Sequence, residues 1–187
     1  MKKIAIAFIL SVFCITANAA TGVNPFFGDA RNQVALNIGQ GVDSGIIVPP
    51  PFRLVPFYFL HLQYSQPTTF FRLHARQSLN FGQTLGFGEK YHWHWNKFTI
   101  PMVFLSEDVA LFHGQRWYTS AGIGAGMQAQ QNERLGAKLL FQFKLAAGWR
   151  FTERCGTEIF VQHFSNGNTA KQNHSYAFYG LGMTYSF

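Results

Sequence analysis

The stretch Phe141-Gln142-Phe143-Lys144-Leu145-Ala146-Ala147-Gly148-Trp149-Arg150-Phe151 decides the fold. Phe141, Phe143, Leu145, Ala147, Trp149 and Phe151 share one parity; Gln142, Lys144, Ala146, Gly148 and Arg150 share the other. Successive side chains of an extended strand point to opposite sides, so this strand has one greasy face and one polar face. The period recurs at Phe71–Phe81, where Phe71, Leu73, Ala75, Leu79 and Phe81 stand opposite Arg72, His74, Arg76, Ser78 and Asn80. Tyr58, Leu60, Leu62 and Tyr64 alternate with Phe59, His61, Gln63 and Ser65. Tyr179, Leu181, Met183, Tyr185 and Phe187 alternate with Phe178, Gly180, Gly182, Thr184 and Ser186. Eight such runs are predicted, roughly 33–41, 56–65, 70–81, 91–104, 117–127, 139–151, 157–165 and 176–187. In the fourth, His92 and His94 alternate against Tyr91, Trp93 and Trp95, and the phase slips near Lys97 and Pro101, which predicts a bulge.

Composition says where such strands belong. Only 12% of the 187 residues are charged, 17% are aromatic with 21 Phe, and the mean hydropathy is +0.01. That excludes a disordered chain. After residue 19 no apolar run approaches the roughly 20 residues of a spanning helix, which excludes a helical membrane protein. Eight strands close around an interior only wide enough to be filled by side chains. Packing all the greasy faces inside would overfill it. The expected architecture is therefore an all-β, eight-stranded antiparallel transmembrane barrel, with apolar faces toward lipid and an Arg, Gln, His and Ser set in the lumen. Tyr58, Tyr64, Trp93, Trp117 and Tyr185 would sit in interfacial girdles. A secreted lipocalin-like barrel with a greasy cavity is the soluble alternative.

Met1-Lys2-Lys3, the apolar Ile4–Ile15 and the small-x-small Ala17-Asn18-Ala19 predict a secretory signal peptide at 1–19 and an outer-membrane barrel at 20–187. Cys14 leaves with the signal, so Cys155 has no partner for an intrachain disulfide. The formal charge of +7, spread without a Lys/Arg cluster in an exported chain, argues against nucleic acid and for an anionic membrane surface. With both termini in the periplasm, extracellular loops fall near 42–55, 82–90, 128–138 and 166–175. Turns fall near 66–69, 105–116 and 152–156. Pro49-Pro50-Pro51 belongs in the first loop, because proline cannot donate to a ladder.

One run carries groups suited to chemistry. Val161-Gln162-His163-Phe164-Ser165-Asn166-Gly167-Asn168 closes the seventh segment. His163 and Ser165 share the face of Ile159 and Val161, the lipid-facing side, where solvation opposes an imidazole. An imidazole beside a hydroxyl is the minimal nucleophile–base pair of acyl transfer, and the following Asn-Gly can aim backbone amides at an oxyanion. Other candidates read as structural. His92-x-His94 lacks a third metal ligand and fits the lumen better. Gly122, Gly124 and Gly126 make space for large luminal side chains such as Arg72 or Arg76. Glu107-Asp108 reads as a solvated turn pair, and Cys155 as a turn residue. No metal or cofactor is expected.

His163-Phe164-Ser165-Asn166, followed by Asn173 and a last strand ending in an aromatic, resembles the lipid A 3-O-deacylases of the bacterial outer membrane, the PagL family. The topology is similar too, with a signal peptide, eight segments, the motif in the penultimate strand and a glycine-rich fifth strand at Ala121–Ala125. The resemblance implies an ester hydrolase acting on lipid A of lipopolysaccharide among outer-membrane lipids. It makes Ser165 the nucleophile, His163 the base, and Asn166 (through its amide) with Asn173 the oxyanion hole. In that family an acid about a dozen residues after the serine orients the histidine; here that spacing lands on Ala177, and no Asp or Glu follows Glu158. Ser175, Asn173, His174, Asp43 and Glu133 remain as substitutes. Lys171, Arg134 and Lys138 would meet phosphates. A homodimer stays open. The alternative reading is a non-catalytic barrel for adhesion or membrane integrity.

Overall fold

The computed structural model describes residues 23–42, 54–86, 98–132 and 134–187. The expected signal peptide, the Pro49–Pro51 run, His92, His94, Asp43 and Glu133 lie outside the described residues. Eight strands form a closed barrel in sequence order: β1 (Gln33–Val42), β2 (Leu54–Phe70), β3 (Leu73–Gly86), β4 (Phe98–His113), β5 (Trp117–Gln128), β6 (Leu139–Arg150), β7 (Cys155–Ser165) and β8 (Tyr176–Ser186). All eight seams are antiparallel, and β8 pairs with β1 from Gln33↔Ser186 to Val42↔Ala177. No helix occurs among the described residues.

The parity read from the sequence holds around the ring. Leu36, Ile38, Leu60, Leu62, Phe81, Ile123, Ile159, Leu181 and Met183 point outward and stay exposed. Gln33, Asn37, His61, Gln63, Ser78, Asn80, Lys144 and Gln162 point inward and are buried. A soluble domain has the opposite polarity; a wall of half-exposed Leu, Ile and Phe is a lipid-facing surface.

The fourth strand and its neighbours differ from expectation. β4 runs through residues 105–113, which were expected to form a long connection, and the turn shrinks to 114–116. Its register shift lies between Ala110 and Phe112; Pro101 pairs regularly with Gln83. Polar inward residues extend the strand: Ser106 and Asp108 are buried on the luminal row, as Asn37, His61 and Ser78 are elsewhere. Glu107-Asp108 is thus no solvated turn, since both residues are buried in β4. The β2–β3 turn moves from 66–69 to Phe71-Arg72, both in the left-handed region (φ 46° and 70°). Pro67 is tolerated because β1 ends against Ser65, leaving the proline nitrogen on an open edge. Arg72 is consequently exposed in that turn, away from the lumen. Gly122 and Gly124 make room instead for Asp108 and Gln142, which a Cβ at either position would strike.

The lumen has two storeys. Toward the turn end, Arg76 donates to Asp108 (Nε–Oδ2 2.8 Å), Gln33 (3.1 Å) and Glu158 (2.7 Å), and Glu158 also accepts from Tyr118 (2.8 Å) and Lys144. The segment before β1 closes this end: Phe26 and Phe27 are buried, and the Arg76 guanidinium lies 4.4 Å from the centre of the Phe26 ring. Toward the loop end the lumen is aromatic rather than polar, with Phe57, Phe59, Phe104, Phe164, Tyr176 and Phe178 in one buried cluster. The expectation of a purely polar interior fails there.

Candidate active site

β7 ends at the loop end of the barrel, and its outward positions there are His163 and Ser165, both half-buried. His163 lies between Phe143 of β6 and Ala177 of β8; Ser165 lies beside Phe141. The inward neighbour Phe164 is fully buried in the aromatic cluster and pins this end of the strand. Same-face neighbours on a strand are about 6–7 Å apart at Cα. No hydrogen bond joins the imidazole to the hydroxyl, a separation common before substrate tightens such a site. The Nδ1 atom of His163 is buried and has no hydrogen-bond partner among the described residues.

The loop after Ser165 is organised by asparagines. Asn166 is fully buried: its side-chain amide donates to the carbonyls of Leu135 and Gln172 (2.6 Å to Gln172), and its Oδ1 accepts from the Asn168 amide at 2.8 Å. Its own backbone N–H donates to Asn173 Oδ1 at 3.1 Å, and Asn173 Nδ2 donates to Asn168 Oδ1 at 3.0 Å. Thr169 caps the turn by donating from its amide and hydroxyl to the Asn166 carbonyl. The connection 129–138 is stapled to the same loop by Asn132 to the Tyr176 hydroxyl, Arg134 Nε to the Ser175 carbonyl (2.5 Å) and the His174 amide to the Arg134 carbonyl (2.8 Å). Lys138 and Lys171 are exposed at this end, and Arg134 is half-buried.

The structure therefore brings His163, Ser165, Asn166 and Asn173 to one rim, and spends the Asn166 amide on Asn173. Of the two amides that directly follow Ser165, that of Asn166 is paired and that of Gly167 makes no hydrogen bond among the described residues. Its φ of +59° and the approach of the Phe141 ring, 2.7 Å from where a Cβ would stand, both require glycine. The Asn-Gly pair flagged the turn; nothing in the sequence distinguished which amide would remain free. Ala177, at the family's spacing for an acid, sits directly across from His163 and is nearly fully covered.

Residues 59–186 match the family described as lipid A 3-O-deacylase (PagL). The chain belongs to the lipid A 3-O-deacylase family. Among solved structures, the outer-membrane enzyme PagL is similar at 18% identity, covering 83% of this chain and 99% of that one, with a TM-score of 0.57. Neisserial surface protein A is similar at 8% identity, with 83% and 97% covered and a TM-score of 0.58. The attachment invasion locus protein Ail of Yersinia pestis follows at 13% identity, 84% and 99% covered, TM-score 0.50. At these identities the structures speak for the fold, an eight-stranded barrel consistent with a bacterial outer-membrane location. No curated protein matches.

Proposed function

We propose that this protein is an outer-membrane esterase that removes the 3-O-linked acyl chain of lipid A, with Ser165 as nucleophile and His163 as base. The observation that carries the reading is the placement of an imidazole and a hydroxyl on the lipid-facing side of β7, at its loop end, with the His163 Nδ1 atom unpaired among the described residues. A lipid-facing His is costly in a purely structural role. A substrate lying in the same leaflet reaches it without a pocket.

Ser165 Oγ attacks the ester carbonyl as its proton passes to His163 Nε2, and a C–O bond forms to the serine. The tetrahedral oxyanion is met by the Gly167 amide, with Asn173 Nδ2 as second donor once it turns from Asn168. Collapse breaks the ester C–O bond, and the sugar hydroxyl leaves with the proton from His163. Water, deprotonated by the same imidazole, then releases the fatty acid and restores Ser165. Among the described residues no carboxylate holds His163 Nδ1, and Ala177 stands directly across from it. The mechanism thus runs with weaker control of the imidazole tautomer than an acid-supported triad.

Mass spectrometry of lipid A from cells producing the protein tests the reading. Loss of one ester-linked acyl chain is expected with the wild type and not with Ser165→Ala. Unchanged lipid A in both, with the barrel inserted, would favour the non-catalytic barrel instead.

A further inference from the structure

Asn173, the side-chain donor of the oxyanion site, is held differently on its two sides. Upstream, the buried Asn166 side chain donates to the Gln172 carbonyl (2.6 Å), within the same loop. Downstream, the next two residues are gripped from the neighbouring 129–138 connection. The His174 amide donates to the Arg134 carbonyl (2.8 Å), and Arg134 Nε donates to the Ser175 carbonyl (2.5 Å). Arg134 therefore holds the chain just after Asn173 through both its main chain and its side chain.

The conformation at that point needs such a grip. Ser175 has a φ of +42°, a left-handed value that a residue with a Cβ disfavours. Backbone of this kind persists only where its surroundings fix it, and it gathers at functional sites. The anchor is itself tied down. Asn132 Oδ1 accepts from the amides of Arg134 (3.0 Å) and Leu135 (2.9 Å), Leu135 is fully buried, and Gln128 Nε2 donates to the Ala137 carbonyl (2.7 Å). What is held there matters for rate, because misplacing a catalytic group by about 1 Å can cost about 10²-fold.

We propose that Arg134 is a positioning residue of this site: its Nε–Ser175 hydrogen bond fixes the main chain beside Asn173 and so aims Asn173 Nδ2 at the oxyanion. The assignment rests on the Ser165/His163 esterase reading. It gives Arg134 a different task from the anion contact expected from its charge, because the donor at Nε is turned into the loop rather than toward substrate.

The test assays the purified full chain in detergent micelles on p-nitrophenyl palmitate, an uncharged ester that offers no phosphate to an arginine. Arg134→Met keeps a long side chain and removes the donor; kcat should fall about tenfold, with KM within about twofold. Arg134→Gln places an amide nitrogen where Nε stood, without the charge, and should recover kcat to within about threefold of the wild type. In an Asn173→Ala background Arg134→Met should cost nothing further, because the two residues act as one unit. The heat-dependent gel shift verifies folding. If Arg134→Met fails it, Asn132→Ala, which releases the two amides that present Arg134, takes its place with the same expectation. Wild-type kcat in Arg134→Met, an equal loss in the Met and Gln variants, or an undiminished loss in the Asn173→Ala background would overturn the proposal while leaving the esterase reading in place. Turnover by Ser165→Ala as fast as the wild type would bring down the esterase reading, and this assignment with it.

Discussion

Glu158 and His163 lie five residues apart on the same strand, one facing in and the other out, and they are treated in opposite ways. Glu158 accepts from Arg76, Tyr118 and Lys144 and is buried among them. His163 leaves a buried nitrogen unpaired among the described residues and sits on the outward row. A buried charge that is fully matched closes the lumen and does nothing further. A polar group left unmatched at a lipid boundary is held there at a free-energy cost, which is the mark of a group reserved for a substrate.

The largest effect expected from this contrast is catalytic. Ser165→Ala and His163→Ala should each lower ester release by about 10⁴-fold, measured as free fatty acid from purified enzyme, while the heat-dependent gel shift stays normal. A large fall in the unfolding midpoint instead would show that these side chains hold the barrel. The inner residue should behave in the reverse manner. Glu158→Gln leaves Arg76 and Lys144 short of a counter-charge, and should cost about 3–5 kcal/mol in urea unfolding. The folded remainder should keep its activity per molecule, since Ser165 is about 23 Å further along the strand.

Two smaller effects sharpen the comparison. Giving His163 the partner it lacks, through Ala177→Glu, should raise the rate by about tenfold, because the carboxylate can fix the tautomer and stabilise the imidazolium. Position 177 is nearly fully covered, so the heat-dependent gel shift checks that the variant still folds. A lower rate in a normally inserted variant would mean that another group already orients the ring. Gly167→Ala should cost about 1–2 kcal/mol locally, since φ is +59° and the Phe141 ring blocks the Cβ. Its signature is a fall in kcat with little change in KM.

The barrel was legible because alternation survives wherever one face meets lipid. Phe141–Phe151 and Tyr179–Phe187 declare their faces residue by residue. β4 was not legible for the same reason: Glu107 breaks the outward apolar row and Asp108 makes the pair look like a turn. The ladders to β3 and β5 carry the strand on, with the inward reach of Arg76 to Asp108 across 32 residues of sequence. The aromatic upper storey was hidden because Phe59 and Phe178 occupy the same rows as His61 and Gly180, and period alone does not say how far up the barrel a residue sits. In the site, the spacing of His163 and Ser165 fixed their shared face. The spending of the Asn166 amide on Asn173 depends on how the loop folds back, and no local pattern encodes it.

The most direct test is to find the acyl group on the protein. Purified enzyme quenched during turnover of lipid A, digested and analysed by peptide mass spectrometry, should carry the fatty acyl chain on the peptide containing Ser165. The adduct should be absent from Ser165→Ala. An adduct on another residue, or full turnover by Ser165→Ala, would contradict the account.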